Sequence, residues 1–88
     1  FPFRANGKAI AIGETEGLVK TVFDANTKRL LGAQLIGGEV TELIGTFAMA
    51  LEMNATVDNF RHTVFPHPTL SEAIFESALS ADMAALHL

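Results

Sequence analysis

An α+β fold is predicted for these 88 residues, and three features of the sequence predict it. Two short runs rich in β-branched and aromatic residues, 18–24 and 30–36, flank a polar connection. At Val40 the apolar period changes from two to the three-and-four spacing of a helix. No strand pattern returns beyond that point, so strands come first and helices after.

Residues 1–5 read as extended, and Asn6-Gly7 is a strong turn signal. Residues 8–12 fit either one helical turn or a short strand, with 13–17 a loop on both readings. In LVKTVFD (18–24), Val19, Thr21 and Phe23 share one side while Leu18, Lys20 and Val22 share the other, the alternation of a strand. DANTK (24–28) is a short polar link, and LLGAQLI (30–36) is a second strand, so the pair makes an antiparallel hairpin ended by Gly37-Gly38. Two strands alone are marginal and leave edges unpaired, so the sheet is expected to be incomplete on its amino-terminal side, with a strand missing upstream of Phe1.

Val40, Leu43, Ile44, Phe47 and Leu51 place a helix at about 40–53, ended by Asn54. It is apolar nearly all round and should be covered on more than one side, by the hairpin and by something else. Thr56 can cap a short helix at about 57–61, and Pro66 and Pro68 keep 63–68 irregular. Thr69 then opens a last helix at about 69–86, with Leu70, Ile74, Ala78 and Leu79 toward the core.

Neither a repeat nor a linker divides the chain, so residues 1–88 read as one unit, and a start at Phe1 points to a processed chain or an excised fragment. Hydrophobic residues make up 49%, rich for a small domain without disulfides, so part of that surface is expected to lie against another chain or domain. The absence of cysteine excludes a disulfide framework, a thiolate metal site and a cysteine nucleophile from this chain. The longest uncharged stretch, 43–51, falls short of the roughly 20 apolar residues that span a bilayer, so no membrane segment is expected. Arg4 and Lys8 precede no apolar run of signal-peptide type. A net charge of −4, with six Lys and Arg scattered singly, is the wrong footprint for nucleic acid.

The chemistry concentrates in FPHPTLSEAIFE, 65–76. Prolines on both sides of His67 hold the neighbouring backbone in narrow ranges and present the imidazole from a stiff, non-helical loop, and the His67-Pro68 bond is a candidate for the cis form. Thr69-Leu70-Ser71-Glu72 fits the T-x-x-E capping box, in which the carboxylate satisfies the Thr69 amide. The same carboxylate can reach an imidazole nitrogen and fix its tautomer, so the two roles are compatible. The plainer alternative is a Glu72 that only caps and a passive His67. His62 and His87 read as ordinary surface or packing residues. His62, His67 and Glu72 recur every five residues, but helical metal ligands stand three or four apart and prolines interrupt the run, so no metal site is expected. Phosphate-binding loop, dinucleotide fingerprint and nucleophile elbow are all missing.

HPTLSE at 67–72, with LLGAQLIG at 30–37 and AMALEMNATVDNF at 48–60, closely resembles the carboxy-terminal interface domain of the dihydrolipoamide dehydrogenases, within the pyridine nucleotide–disulfide oxidoreductases. The resemblance covers essentially the whole chain. Relatives such as glutathione reductase read HPTSSEE, so Leu70 and the single Glu72 favour the lipoamide enzymes. The resemblance implies a homodimer in which His67 is the catalytic acid–base and Glu72 its orienting partner. It also implies that His67 and Pro68 lie against the flavin and redox disulfide in the FAD domain of the partner subunit. FAD and NAD would be cofactors of the full-length enzyme, held by domains absent from this chain, and none is expected on the fragment alone, which should be inactive as a dehydrogenase. The substrate implied is the lipoyl group of a 2-oxo acid dehydrogenase complex, in bacterial cytoplasm or mitochondrial matrix. Two departures stand out: the family's domain begins with a strand absent here, and Phe65 stands where a second histidine is often found. The alternative reading is a purely structural dimerisation domain of a related flavin disulfide reductase.

Overall fold

The hairpin forms where the alternation places it: β1 (Leu18–Phe23) and β2 (Leu30–Ile36) pair antiparallel, with Val19 opposite Leu35 and Thr21 opposite Ala33. A register shift after Val22 then sets Phe23 opposite Leu30. In the connection, Asp24 Oδ1 accepts hydrogen bonds from the amides of Asn26 (2.8 Å) and Thr27 (2.7 Å), closing the turn with its own side chain. A computed structural model describes residues 1–87, with side chains described as far as Ala81.

Period-two alternation gives the sheet a dry face and an open one. Val19 and Leu30 are buried, whereas Leu18, Val22, Leu31 and Ile36 are exposed. Phe1 and Pro2 run antiparallel beside β1: the Val19 amide donates to the Phe1 carbonyl (2.9 Å) and the Phe3 amide to the Gly17 carbonyl (3.1 Å). Gly17 is required here, because at φ 101° a Cβ would overlap the carbonyl oxygen of Ile36.

The extended reading of residues 1–5 holds only for the first two. Phe3–Ala5 form a 3-10 turn that drives the Phe3 ring into the core. The segment that fitted either period is a helix, α1 (Gly7–Ile12). Asn6 decides it by capping, its Oδ1 accepting the Ala9 amide at 2.8 Å, and Gly13 ends it in the left-handed region at φ 76°.

Helix α2 (Val40–Glu52) packs on β2 through Leu43 and Phe47, and Asn54 just beyond its end takes a left-handed φ of 55°. Among the described residues only one stripe of α2, that of Leu43 and Phe47, is covered. Ile44, Met49 and Leu51 remain exposed, so the second cover expected for an all-round apolar helix is not supplied by the described residues. Helix α3 (Val57–His62) is one residue longer than expected, and its first turn is tied by the Thr56 amide donating to Asn59 Oδ1 at 2.8 Å. Helix α4 (Glu72–His87) lies across β1 and α3 and buries Ala73, Ile74, Ser77 and Ala78. Leu70 and Leu79 are half-buried, so the core stripe shifts toward Ala73 and Ser77. Ser77 is accommodated by a 3.0 Å hydrogen bond between its hydroxyl and that of Thr21 on β1.

The last helix starts at Glu72 and not at Thr69, because Thr69–Ser71 form a turn ahead of it. Among the described residues no helix is long and apolar enough to cross a membrane.

Candidate active site

The loop 63–71 links α3 to α4 and is pinned at each end. At its start the Thr63 hydroxyl donates to the Asn59 carbonyl at 2.6 Å, and the half-buried Phe65 ring packs against Phe75 of α4 with centroids 5.8 Å apart. Pro66 leaves its carbonyl free to accept from the Thr69 hydroxyl at 2.8 Å, and the His67-Pro68 bond between them is cis. The loop therefore closes on itself around His67.

Glu72 is the first residue of α4, and its carboxylate faces back into the loop. Oε1 accepts the Thr69 amide at 3.0 Å and stands 2.9 Å from His67 Nδ1, with Oε2 at 3.1 Å from the same nitrogen. A carboxylate only accepts, so Nδ1 carries the proton and the other ring nitrogen, Nε2, is the basic one in the neutral imidazole. Nε2 makes no hydrogen bond to any described residue, and the His67 side chain is 76% exposed while Glu72 is 27% exposed.

Only one of the two reciprocal bonds of the capping box is formed: the Thr69 hydroxyl turns to Pro66 and not to the Glu72 amide. The box thus serves to aim the carboxylate. Its pKa is held below the usual 4.5 chiefly by the Thr69 amide; partial removal from water opposes this, and the His67 ring adds a further lowering.

Because this folded pKa is depressed, ionised Glu72 contributes its stabilisation above the unfolded value, and that contribution is lost as pH falls through the folded one. A carbon-13 titration of the Glu72 carboxyl should show a midpoint below 4.5, and the contact with His67 should open only under that acid limit. A midpoint at or above 4.5 would contradict this geometry.

The structure brings together His67 and Glu72, with Pro68 exposed beside them. His62 is an exposed residue at the end of α3, and the side chain of His87 lies outside the described ones. Among the described residues, no three His, Cys, Asp or Glu side chains are grouped to hold a metal ion.

Reading the sequence alone missed Asn6. The residue is 4% exposed, and while its Oδ1 caps α1 its Nδ2 donates to the Thr69 carbonyl at 3.1 Å. The available signal was an Asn directly ahead of the apolar run GKAIAI, which is a helix cap as well as a turn marker. The first residue of α1 also lies along the histidine, since a Cβ on Gly7 would sit 3.8 Å from His67 Cε1. Phe1, Ala5, Asn6, Gly7, His67, Glu72 and Glu76 line a shallow cleft of about 300 Å³ beside the ring.

Residues 1–78 match the family model described as the pyridine nucleotide-disulphide oxidoreductase dimerisation domain. The chain belongs to that family. It is 56% identical over 87 residues to the dihydrolipoyl dehydrogenase of Zymomonas mobilis, covering 99% of this chain and 19% of that protein. Against the dihydrolipoyl dehydrogenase of Rhizobium etli it is 53% identical over 81 residues, covering 92% of this chain and 17% of the other. Among solved structures, the Cu(II) complex of the HOCl-induced flavoprotein disulfide reductase RclA from Escherichia coli superposes with a TM-score of 0.84 at 28% identity, over 91% of this chain and 18% of that one. The chain thus spans less than a fifth of the length of the curated relatives it is matched to here. It is a dimerisation domain of the pyridine nucleotide-disulphide oxidoreductase family.

Proposed function

We propose that this dimerisation domain is half of an active site: in a full-length dihydrolipoyl dehydrogenase it joins two subunits and lends the His67–Glu72 pair to the flavin and redox disulfide of the partner subunit. The observation that carries the reading is an imidazole held at Nδ1 by a carboxylate and left exposed, with no hydrogen bond from any described residue at Nε2. Attack on a disulfide needs a thiolate, and a free thiol of pKa about 8.5 is mostly protonated near neutral pH. Nε2 takes the thiol proton as the substrate sulfur bonds one sulfur of the partner's disulfide and the other leaves as a thiolate. The imidazolium so formed lies against the Glu72 carboxylate, which stabilises it and keeps the ring in one orientation.

This chain does not fit FAD or NAD as their holder. The cleft at His67 is small, its charged lining consists of Glu72 and Glu76 beside the histidine, and the sequence has no glycine-rich phosphate cradle. Both cofactors belong, on this reading, to other domains of the full-length protein, with His67 and Pro68 as the edge that meets the partner's flavin. The substrate is then the dihydrolipoyl group of a 2-oxo acid dehydrogenase complex, in bacterial cytoplasm or mitochondrial matrix.

The bond from the Thr69 amide to Glu72 also suits a purely structural domain of a related reductase, in which the carboxylate only caps. Mixed dimers separate the two readings. One subunit carries His67→Gln with its redox cysteines intact, and the other keeps His67 but has those cysteines changed to serine. Donation across the interface gives each mixed dimer one complete site, so turnover with dihydrolipoamide should rise well above that of either parent homodimer. No gain on mixing, with formation of the mixed dimer verified, would refute donation to the partner.

A further inference from the structure

The conspicuous link between the amino-terminal segment and the histidine loop is a side chain that the acid–base reading does not use. Asn6 is buried, and both ends of its amide are engaged. Oδ1 accepts the Ala9 amide at 2.8 Å, which starts α1, and Nδ2 donates at 3.1 Å to the carbonyl of Thr69, 63 residues further along the chain. Thr69 is the residue whose amide holds Glu72 Oε1 and whose hydroxyl closes the loop onto Pro66.

One side-chain amide therefore ties α1 to the residue whose own N–H aims the carboxylate. A shift of Thr69 would move Glu72 Oε1, and with it the hydrogen bond that fixes His67 Nδ1. The ring has little else to hold it, being mostly exposed, with Gly7 of α1 alongside, where only an added Cβ would come into van der Waals contact.

We propose that Asn6 is a positioning residue for the acid–base: its side-chain amide clamps the Thr69 carbonyl to the start of α1 and so sets the orientation of the Glu72–His67 pair. This rests on the reading of His67 as the proton acceptor, and Asn6 itself touches no reacting atom. The cap and the clamp are chemically separable. A serine at position 6 keeps a good capping oxygen for the Ala9 amide but has no group to reach Thr69 as well. An aspartate keeps the cap and the shape, and replaces the donor by an oxygen that a carbonyl repels.

The test is made in the full-length enzyme as a double-mutant cycle of Asn6→Ser with His67→Gln, each variant checked for folding by thermal unfolding. A misaligned acid–base costs rate steeply with distance, so Asn6→Ser should lower kcat with dihydrolipoamide roughly ten- to a hundredfold in the His67 background. In the His67→Gln background the same change should have no further effect, since nothing remains to be positioned. A merely structural role would lower activity equally in both backgrounds, and that result would overturn the proposal. Normal turnover of Asn6→Ser beside a crippled His67→Gln would overturn the clamp and leave the acid–base reading standing. Normal turnover of His67→Gln would remove that reading and the clamp with it. Where Asn6→Ser does not fold, Asn6→Asp enters the same cycle, and failure of both to fold would make Asn6 a residue of the fold and overturn the positioning role.

Discussion

Exchange of His67 for glutamine in the full-length enzyme is expected to cut turnover with dihydrolipoamide by roughly a hundred- to ten-thousandfold, the usual contribution of a well-placed acid–base. Glutamine is of similar size and can still donate to the Glu72 carboxylate, so the loop is retained. What disappears is a nitrogen able to take a proton near neutral pH. The deficit should shrink as pH rises toward the thiol's own pKa of about 8.5, because the substrate then ionises without help. Glu72→Gln should fall between that variant and the native enzyme, since an amide oxygen can still accept from Thr69 but no charge faces the imidazolium. Steady-state rates across a pH series decide the matter. Near-normal turnover of His67→Gln at neutral pH would reduce Glu72 to a helix cap and His67 to a bystander.

The second large effect falls on the core. Phe47→Ala is expected to destabilise the chain by about 3–5 kcal/mol, a large part of the roughly 5–15 kcal/mol by which domains are stable. Phe47 is 2% exposed, and its ring packs on Phe60 with centroids 6.1 Å apart. Phe60 in turn meets Phe23 edge-on at 5.8 Å and 83°, so three rings tie α2, α3 and β1 into one cluster. Truncating Phe47 removes apolar contact and leaves a void that neighbours on three elements cannot all close. Thermal unfolding should show a fall of well over 10 °C, or the loss of a cooperative transition, given about 4–8 °C per kcal/mol for a domain of this size. Thr46→Ala, one residue away on the exposed side of α2, should stay within about 0.5 kcal/mol of the native chain. Equal melting of the two variants would show that the ring cluster is not where the stability of the fold resides.

The hairpin was legible in the sequence because a strand's facing is decided by neighbours two apart, and Val19, Thr21 and Phe23 separate cleanly from Leu18, Lys20 and Val22. The pairing of His67 with Glu72 was legible for a similar reason. Five residues separate them, and the prolines and the turn at Thr69–Ser71 confine the chain between them, so local stereochemistry brings them together. Residues 8–12 were not legible, since Lys-Ala-Ile-Ala-Ile satisfies both a period of two and a helical turn. The decision came from the Asn6 side chain reaching the Ala9 amide. Helix α4 begins at Glu72, three residues later than expected, and the Thr69 hydroxyl donates to the Pro66 carbonyl, a partner that spacing does not reveal.

The sequence by itself determined the two strands with the faces of the first, the order of the elements from β1 onward and the candidate acid–base pair, but not that α1 precedes the strands or that Ile44 and Leu51 stay exposed on α2. Each feature so determined depends on residues a few positions apart, where backbone geometry leaves few choices. Only the tertiary structure decided that Asn6 meets Thr69, that Phe23, Phe47 and Phe60 share one cluster, and that the outer faces of the sheet and of α2 are left exposed among the described residues. Those contacts join residues far apart along the chain, and which of many possible partners a side chain meets is settled by how the elements pack and not by any spacing within them.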